Sequence, residues 1–482
     1  MPSIATFLLH MTRKKTAIFI GVTVLFLYNI SSNFNEYYET GLQSPKSARN
    51  LTNMEHLGVT KYVNVGKQSP SLNVLSLGGS TTYGYPLKKR ETEAYPYLIG
   101  PSQNSVVINL AVRATGSDYA SQCIQSMVEE ALETNDLPLD FNFHVITVEY
   151  SLNGLDGLQL LLLRLRRRYP KAKIVYVHLW SLRMSVKDDV TNTFPRHILN
   201  QPNIKKLSQA DVMINQALEN PQANWIWDEP TFDVSNDLLN QVQSILHSIA
   251  GDTYIWSLPR AKIPKNMFSW FSSKDRHHLS DIGHAKVAQG IQSYLQMSSQ
   301  GQKAVSSNNN NVHNNNIQND GTWGLGDQCI SWFQDGTSSF AEHSKNIKMF
   351  VKPDKWALHI SQDDGIVTTK FSNKAKWNMP LSLTHMAWRN PSIYPKTRIT
   401  VSSLPKHNHD QEFTTVLNPL HRNEAFHIYH VTQTTFIGTV LPGEHIISME
   451  ATEMTERPLR LTGIVMCGAC MEMNTDGKDK YY

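Results

Sequence analysis

Gly78-Gly79-Ser80-Thr81-Thr82-Tyr83-Gly84 is the first stretch of this chain whose residue types and spacing could do chemistry. The run Val74-Leu75-Ser76-Leu77 leads straight into it, a pattern for a buried strand that ends in a tight turn and opens a helix. Ser80 on that turn would expose its hydroxyl at the carboxyl end of the strand, beside helix N-terminal amides able to receive a developing negative charge. That is a nucleophile's position; the plainer reading is a glycine-rich turn with a capping serine. A serine nucleophile needs a base, and the base an orienting partner. Asp275-Arg276-His277-His278 offers both: Asp275 and His278 are three residues apart and share one side of a helical turn. The carboxylate would hold the inner imidazole nitrogen and leave the outer one for the Ser80 proton. The plainer reading here is a polar loop with Ser280 or Asp281 capping the next helix.

These residues need a scaffold, and the surrounding pattern supplies one. Apolar strands are expected at Asn73–Ser80, Ser105–Val112, His144–Leu152, Lys173–Leu182 and Asp252–Leu258. Helical spacing falls between and after them, at Tyr119–Leu132, Leu155–Arg168, Leu238–Ile249 and Ile282–Leu295. Near-continuous apolar strands alternating with helices imply an α/β unit, a parallel sheet with helices on both faces. Arg164, Arg166, Arg167 and Arg168, followed by Pro170, fit a helix end facing its own negative pole; a polyanion-binding patch is the sharper alternative.

The combination resembles the SGNH (GDSL-type) hydrolase family over residues 71–297. Gly78-Gly79-Ser80 matches the family's first block, with Gly79 where many members carry Asp, and Asp275-Arg276-His277-His278 matches its last, Asp-x-x-His. Ser151-Leu152-Asn153-Gly154 is similar to the third block, Gly-x-Asn-Asp, with Ser151 and Gly154 departing from it. In the second block Ala111 stands where a glycine amide is usual. The resemblance implies a flavodoxin-like three-layer fold with a five-stranded parallel sheet and a catalytic set of Ser80, Asp275 and His278. It also implies an oxyanion hole from the Ser80 and Ala111 amides and the Asn153 side chain, with no cofactor and no metal. Arg113, in the same loop as Ala111, would contact substrate or close the loop by pairing. An α/β-hydrolase would need Gly-x-Ser-x-Gly, which Thr82 breaks, and a phosphate loop would need Gly-Lys-Ser/Thr.

The rest of the 482 residues frame this unit. Arg13-Lys14-Lys15 before the apolar run 17–30 reads as a type II signal-anchor within residues 1–35, with a cleaved signal peptide and secretion as the competitor. Either places the remainder in the secretory lumen or outside the cell. A polar stem follows over 36–70, with a glycosylation acceptor at Asn50-Leu51-Thr52. The Asn-rich stretch 298–320 has too little apolar surface to fold and reads as a linker. Beyond it, short alternating runs over 321–475 predict an all-β sandwich. Trp323, Trp332, Trp356, Trp377 and Trp388 would pack in its core or form a sugar platform. The four cysteines suit disulfides, expected between Cys329 and either Cys467 or Cys470. A net charge of +4 gives no reason to expect nucleic acid as a partner.

The function expected on this basis is hydrolysis of O-acyl, chiefly O-acetyl, esters on a glycan. A glycan O-acyltransferase with the same triad, a lipid esterase and a catalytically weak carbohydrate-binding protein stand as alternatives.

Overall fold

A computed structural model describes residues 58–61, 72–100, 105–181, 233–249, 251–259, 269–299 apart from 274 and 276, 321–331, 348–352, 355–404 apart from 389 and 391, 412–420 and 431–474. All belong to one body, Met54–Tyr482. Its first sheet has six strands: β1 (Gly58–Lys61), β2 (Val74–Gly78), β3 (Val106–Asn109), β4 (Val145–Glu149), β5 (Lys173–His178) and β6 (Thr253–Ser257). They lie in the order β1-β3-β2-β4-β5-β6. The five from β2 to β6 are mutually parallel, and β1, inside the expected stem, pairs antiparallel with β3. The parallel part has the doubly wound order in which the chain starts near the middle and reverses direction between β3 and β4.

Alternation along the strands feeds two cores. Leu75, Leu77, Ile108, Ile146, Val148, Ile174 and Tyr176 point to one face, against the helices Ser117–Thr134, Leu158–Arg168 and Asp233–His247. Val74, Val107, Val145, Val175 and Val177 point to the other, against Tyr95–Ile99 and Asp281–Ser299. Burial on both faces is why the strands read as near-continuous apolar runs. The helix Ser117–Thr134 forms because Ala120, Ile124, Met127, Val128 and Ala131 recur at helical spacing on one buried face. It ends where Asp136 takes a positive φ of 53°.

The second region is the antiparallel β-sandwich. Its strands are β7 (Asp327–Ser331), β8 (Lys348–Lys352), β9 (Lys355–Ile360), β10 (Val367–Asn373), β11 (Met379–Ala387), β12 (Thr397–Leu404), β13 (Glu412–Leu417), β14 (Val431–Val440), β15 (Gly443–Ala451) and β16 (Leu459–Cys467). One sheet runs β10-β15-β12-β13, the other β14-β11-β16-β9-β8 with β7 also on β16. Strict alternation in β10 turns Val367, Thr369, Phe371 and Asn373 inward. Val367 and Phe371 meet Leu381, Leu383, Ile399, Val401, Ile447 and Leu461 in a single apolar core.

The two regions are joined through the helix Ser117–Thr134. Cys123 is disulfide-bonded to Cys329 of β7, and Cys467 to Cys470. This corrects the expected pairing of Cys329 with Cys467 or Cys470: β7 lies against the helix face that carries Cys123, bringing the two Cα atoms to 5.5 Å, a bridging distance. Arg164 Nη1 and Asp327 Oδ2 form an ion pair at 2.8 Å with both side chains buried. In β14, the outermost strand of its sheet, Thr432 N–H donates to the Ala114 carbonyl at 2.9 Å and Thr434 N–H to Asp118 Oδ2 at 2.8 Å.

The arginine run is internal stitching rather than a polyanion patch. Arg166 is buried and donates to the carbonyls of Pro170, Ala172 and Asp252 at 3.1, 2.8 and 3.0 Å. Gly251, at φ +103°, leaves it room, since a Cβ there would come within 2.6 Å of Arg166 Cζ. Of the tryptophans, Trp323 packs in the α/β core rather than the sandwich, Trp377 is exposed and Trp388 is partly buried. The side chains of Trp332 and Trp356, the glycosylation acceptor and most of the expected linker lie outside the described residues.

The expected placement as a type II membrane protein is corrected. Among the described residues no helix is long and apolar enough to cross a membrane, and the run 17–30 lies outside them. The two disulfides fit an extracellular location.

Candidate active site

Three loops at the carboxyl ends of β2, β3 and β4 converge where the strand order reverses, the place at which open α/β sheets present a crevice. The turn after β2 carries Ser80 as the first residue of the short helix Ser80–Tyr83. At that position its N–H has no intrahelical acceptor. Ser80 Oγ lies 2.8 Å from His278 Nε2, and His278 Nδ1 lies 2.7 Å from Asp275 Oδ2. The three residues form one relay, and all three are partly buried.

Asp275 and His278 are not in a helical turn, as their spacing suggested. They sit in a loop closed by a bridge between Phe271 and Leu279, with Ser272 N–H donating to the His278 carbonyl at 2.8 Å. Asp275 Oδ1 accepts the backbone N–H groups of His277 and His278 at 3.0 and 3.1 Å, while Oδ2 takes the imidazole. The side-chain acceptor thus folds the loop locally, as aspartate does in turns. Burial by itself would raise the Asp275 carboxyl; the hydrogen bond and charge of His278, with the two backbone donors, outweigh it and hold the group well below the usual carboxylate range. His277 is turned elsewhere, its Nδ1 3.0 Å from Ser181 Oγ.

The proposed oxyanion donors are placed unequally. Asn153 is buried and its side-chain amide lies directly over Gly79, so that a Cβ at residue 79 would collide with it. Glycine at residue 79 leaves the Asn153 amide its place. Ala111 is buried in the loop after β3, but its N–H donates to Asn109 Oδ1 at 3.2 Å. Arg113 stacks its guanidinium 4.0 Å above the Tyr85 ring, and Tyr85 meets the His278 ring edge-on at 4.8 Å.

Glu149, the last residue of β4, was missed in the sequence. It is fully buried beneath the site, with Thr82 Oγ1 donating to Oε2 at 3.2 Å and Ser151 Oγ to Oε1 at 3.3 Å. Burial pushes its carboxyl up to about 7 against the pull of Thr82, the Leu152 amide, Ser151 and the Gly79 amide. A lone charged residue in an expected buried strand, four before Asn153, was the available signal. Among the described residues no cluster of three His, Cys, Asp or Glu is arranged to hold a metal ion.

No protein-family model matches the sequence, and no curated protein matches it. Among solved structures it is similar to an exo-β-1,3-galactanase from Phanerochaete chrysosporium crystallised with galactose, at 10% identity, 29% of each chain and a TM-score of 0.19. It is also similar to CsCBM6-3 from Clostridium stercorarium in complex with cellobiose, at 14% identity over 29% of this chain and 92% of that one, TM-score 0.18. A third is CBM35 from Cellvibrio japonicus Abf62, at 14% identity, 30% and 93% coverage, TM-score 0.20. The chain thus spans less than a third of the galactanase it matches.

Proposed function

We propose that the chain is a serine ester hydrolase of the SGNH type that removes O-acyl, chiefly acetyl, groups from a glycan. The observation that carries this reading is the unbroken relay from Ser80 Oγ to His278 at 2.8 Å and on to Asp275 at 2.7 Å, at the crevice of a doubly wound sheet.

Ser80 Oγ attacks the ester carbonyl carbon while His278 Nε2 takes the hydroxyl proton. Asp275 holds Nδ1–H and steadies the imidazolium that forms. The Ser80 N–H and the Asn153 side-chain amide receive the oxyanion, and the Ala111 N–H joins them by exchanging Asn109 for it. Collapse of the tetrahedral intermediate expels the sugar oxygen, which takes its proton from His278, and leaves acyl-Ser80. Water, deprotonated by the same imidazole, attacks the acyl carbon, and collapse releases the carboxylic acid and restores Ser80. A disulfide-bonded chain with a β-sandwich suits an extracellular O-acylated glycan as substrate.

The test is hydrolysis of p-nitrophenyl acetate and release of acetate from an O-acetylated polysaccharide by the full-length protein and Ser80→Ala. Loss of both activities, by on the order of a thousandfold or more, with an unchanged thermal midpoint is expected. Full activity in Ser80→Ala would sink the mechanism.

A further inference from the structure

We propose that Glu149 is a positioning residue whose buried carboxylate locks the turn carrying Ser80 to the loop carrying Asn153. This deepens the esterase reading and rests on it.

Hydrogen-bond donors converge on Glu149 from both segments. Leu179 N–H donates to Ser151 Oγ at 2.8 Å, so the Ser151 hydroxyl proton is turned to Glu149 Oε1. Tyr95 OH lies 2.9 Å from Thr82 Oγ1, so a phenol proton given to Thr82 leaves the Thr82 proton for Glu149 Oε2. The Gly79 and Leu152 amides, whose dipoles pull this carboxyl down, can only donate. Donors from two segments therefore meet one side chain, and the ionised carboxylate is the form that accepts from all of them at once. Thr82 lies in the short helix that Ser80 opens, and Ser151 two residues before Asn153, so the charge ties together the two segments from which the nucleophile and the oxyanion donor leave.

Stability does not explain this arrangement. The groups that bear on Glu149 are hydroxyls, amides and the phenols of Tyr95, Tyr150 and Tyr176, with His284, stacked on Tyr95, held neutral by burial. A buried carboxylate without a cation costs the fold more than an apolar side chain of the same size. Its carboxyl is raised, so its contribution to stability is present at low pH and lost as pH rises through about 7. The ionised form that holds the two loops is thus the form the fold favours least.

Glu149→Gln separates positioning from packing, since it keeps the shape but replaces one acceptor oxygen with a donor. The measurements are the rate at which a fluorophosphonate labels Ser80, kcat and KM on p-nitrophenyl acetate from pH 5 to 9, and the thermal midpoint. Labelling and kcat are expected to fall on the order of a hundredfold, the cost of misplacing a reacting group by about 1 Å, with KM little changed. The midpoint at pH 8 stays at or above that of the wild type, and the acid limb of kcat/KM falls with one proton in the variant against two in the wild type. Labelling and kcat within about threefold of the wild type would overturn the proposal. Should Glu149→Gln not fold, Glu149→Asp keeps the charge and shortens its reach. A folded Asp variant with kcat down about tenfold or more supports the lock, and an unchanged kcat overturns it. A wild type that never labels defeats the esterase reading itself, which distinguishes that failure from a variant that labels like the wild type.

Discussion

Two of the close contacts between a carboxylate and a basic side chain in this molecule are built differently. Asp275 meets His278 at 2.7 Å with both side chains partly open to solvent, at 19% and 13% exposure. Asp327 meets Arg164 at 2.8 Å with both sealed, at 0% and 3%. The other donors to Asp327 are Gln125 N–H, Ser126 N–H and Ser126 Oγ, all from one helix, so the pair is a fixed joint between the α/β region and the sandwich. His278 instead turns its second nitrogen to a hydroxyl that sits at a crevice. On the proposed mechanism, a carboxylate's contact with a basic side chain serves chemistry only where that side chain can pass a proton on and a substrate can arrive.

Variants sharpen the contrast in order of effect. Asp275→Asn should lower kcat on p-nitrophenyl acetate on the order of 10⁴-fold, because the imidazole loses its orienting acceptor, and lower the thermal midpoint at pH 8 less than Asp327→Ala does, because the Asp275 pair is partly open to solvent. Since the Asp275 carboxyl is held low in the folded state, its stabilising contribution is present above its unfolded value and disappears as pH falls through the folded one. Asp327→Ala should do the reverse. It strands a buried guanidinium and costs about 3 to 5 kcal/mol in denaturant unfolding, while turnover per folded molecule stays at the wild-type level. Loss of turnover beyond the unfolded fraction would erase the distinction between the two pairs.

The smallest effect tests the joint at its other end. Burial pushes Asp118 up to about 6, against hydrogen bonds from the Thr434 and Tyr119 backbones, with Asp156 adding to the rise. A carboxyl raised in the folded state stabilises below its unfolded pKa of about 4 and loses that contribution as pH climbs through about 6. Asp118→Asn should therefore flatten the decline in unfolding free energy between those two pH values. An unaltered slope would show that Asp118 does not titrate in that window.

The parts of this architecture that were legible in the sequence are those set by local pattern. β2 to β6 read as apolar runs because both their faces are buried, and Ser80, Asn153, Asp275 and His278 each stand next to a strand end or turn. What escaped was non-local. The Cys123–Cys329 bond joins residues 206 apart and depends on β7 docking against a helix of the other region. The arginines at the end of Leu158–Arg168 looked like surface charge, yet Arg164 and Arg166 turn inward to a carboxylate and to carbonyls supplied by distant segments. Glu149 was hidden for a related reason: in β4 its apolar neighbours mark a strand, and nothing local says that donors from two segments will gather around it. The Asp275-x-x-His278 spacing suggested a shared side of a helical turn, whereas a backbone-accepting aspartate in a loop brings the two side chains into contact.

β14 has a consequence for how the protein can be divided. On one side it pairs with β11, and on the other its Thr432 and Thr434 amides are taken up by Ala114 and Asp118 of the α/β region. A sandwich cut away before residue 327 would bare those donors as an open strand margin, a template for pairing with another copy, and the α/β part would lose the contact that braces the loop after Ala111. Each region is the other's protection against self-association.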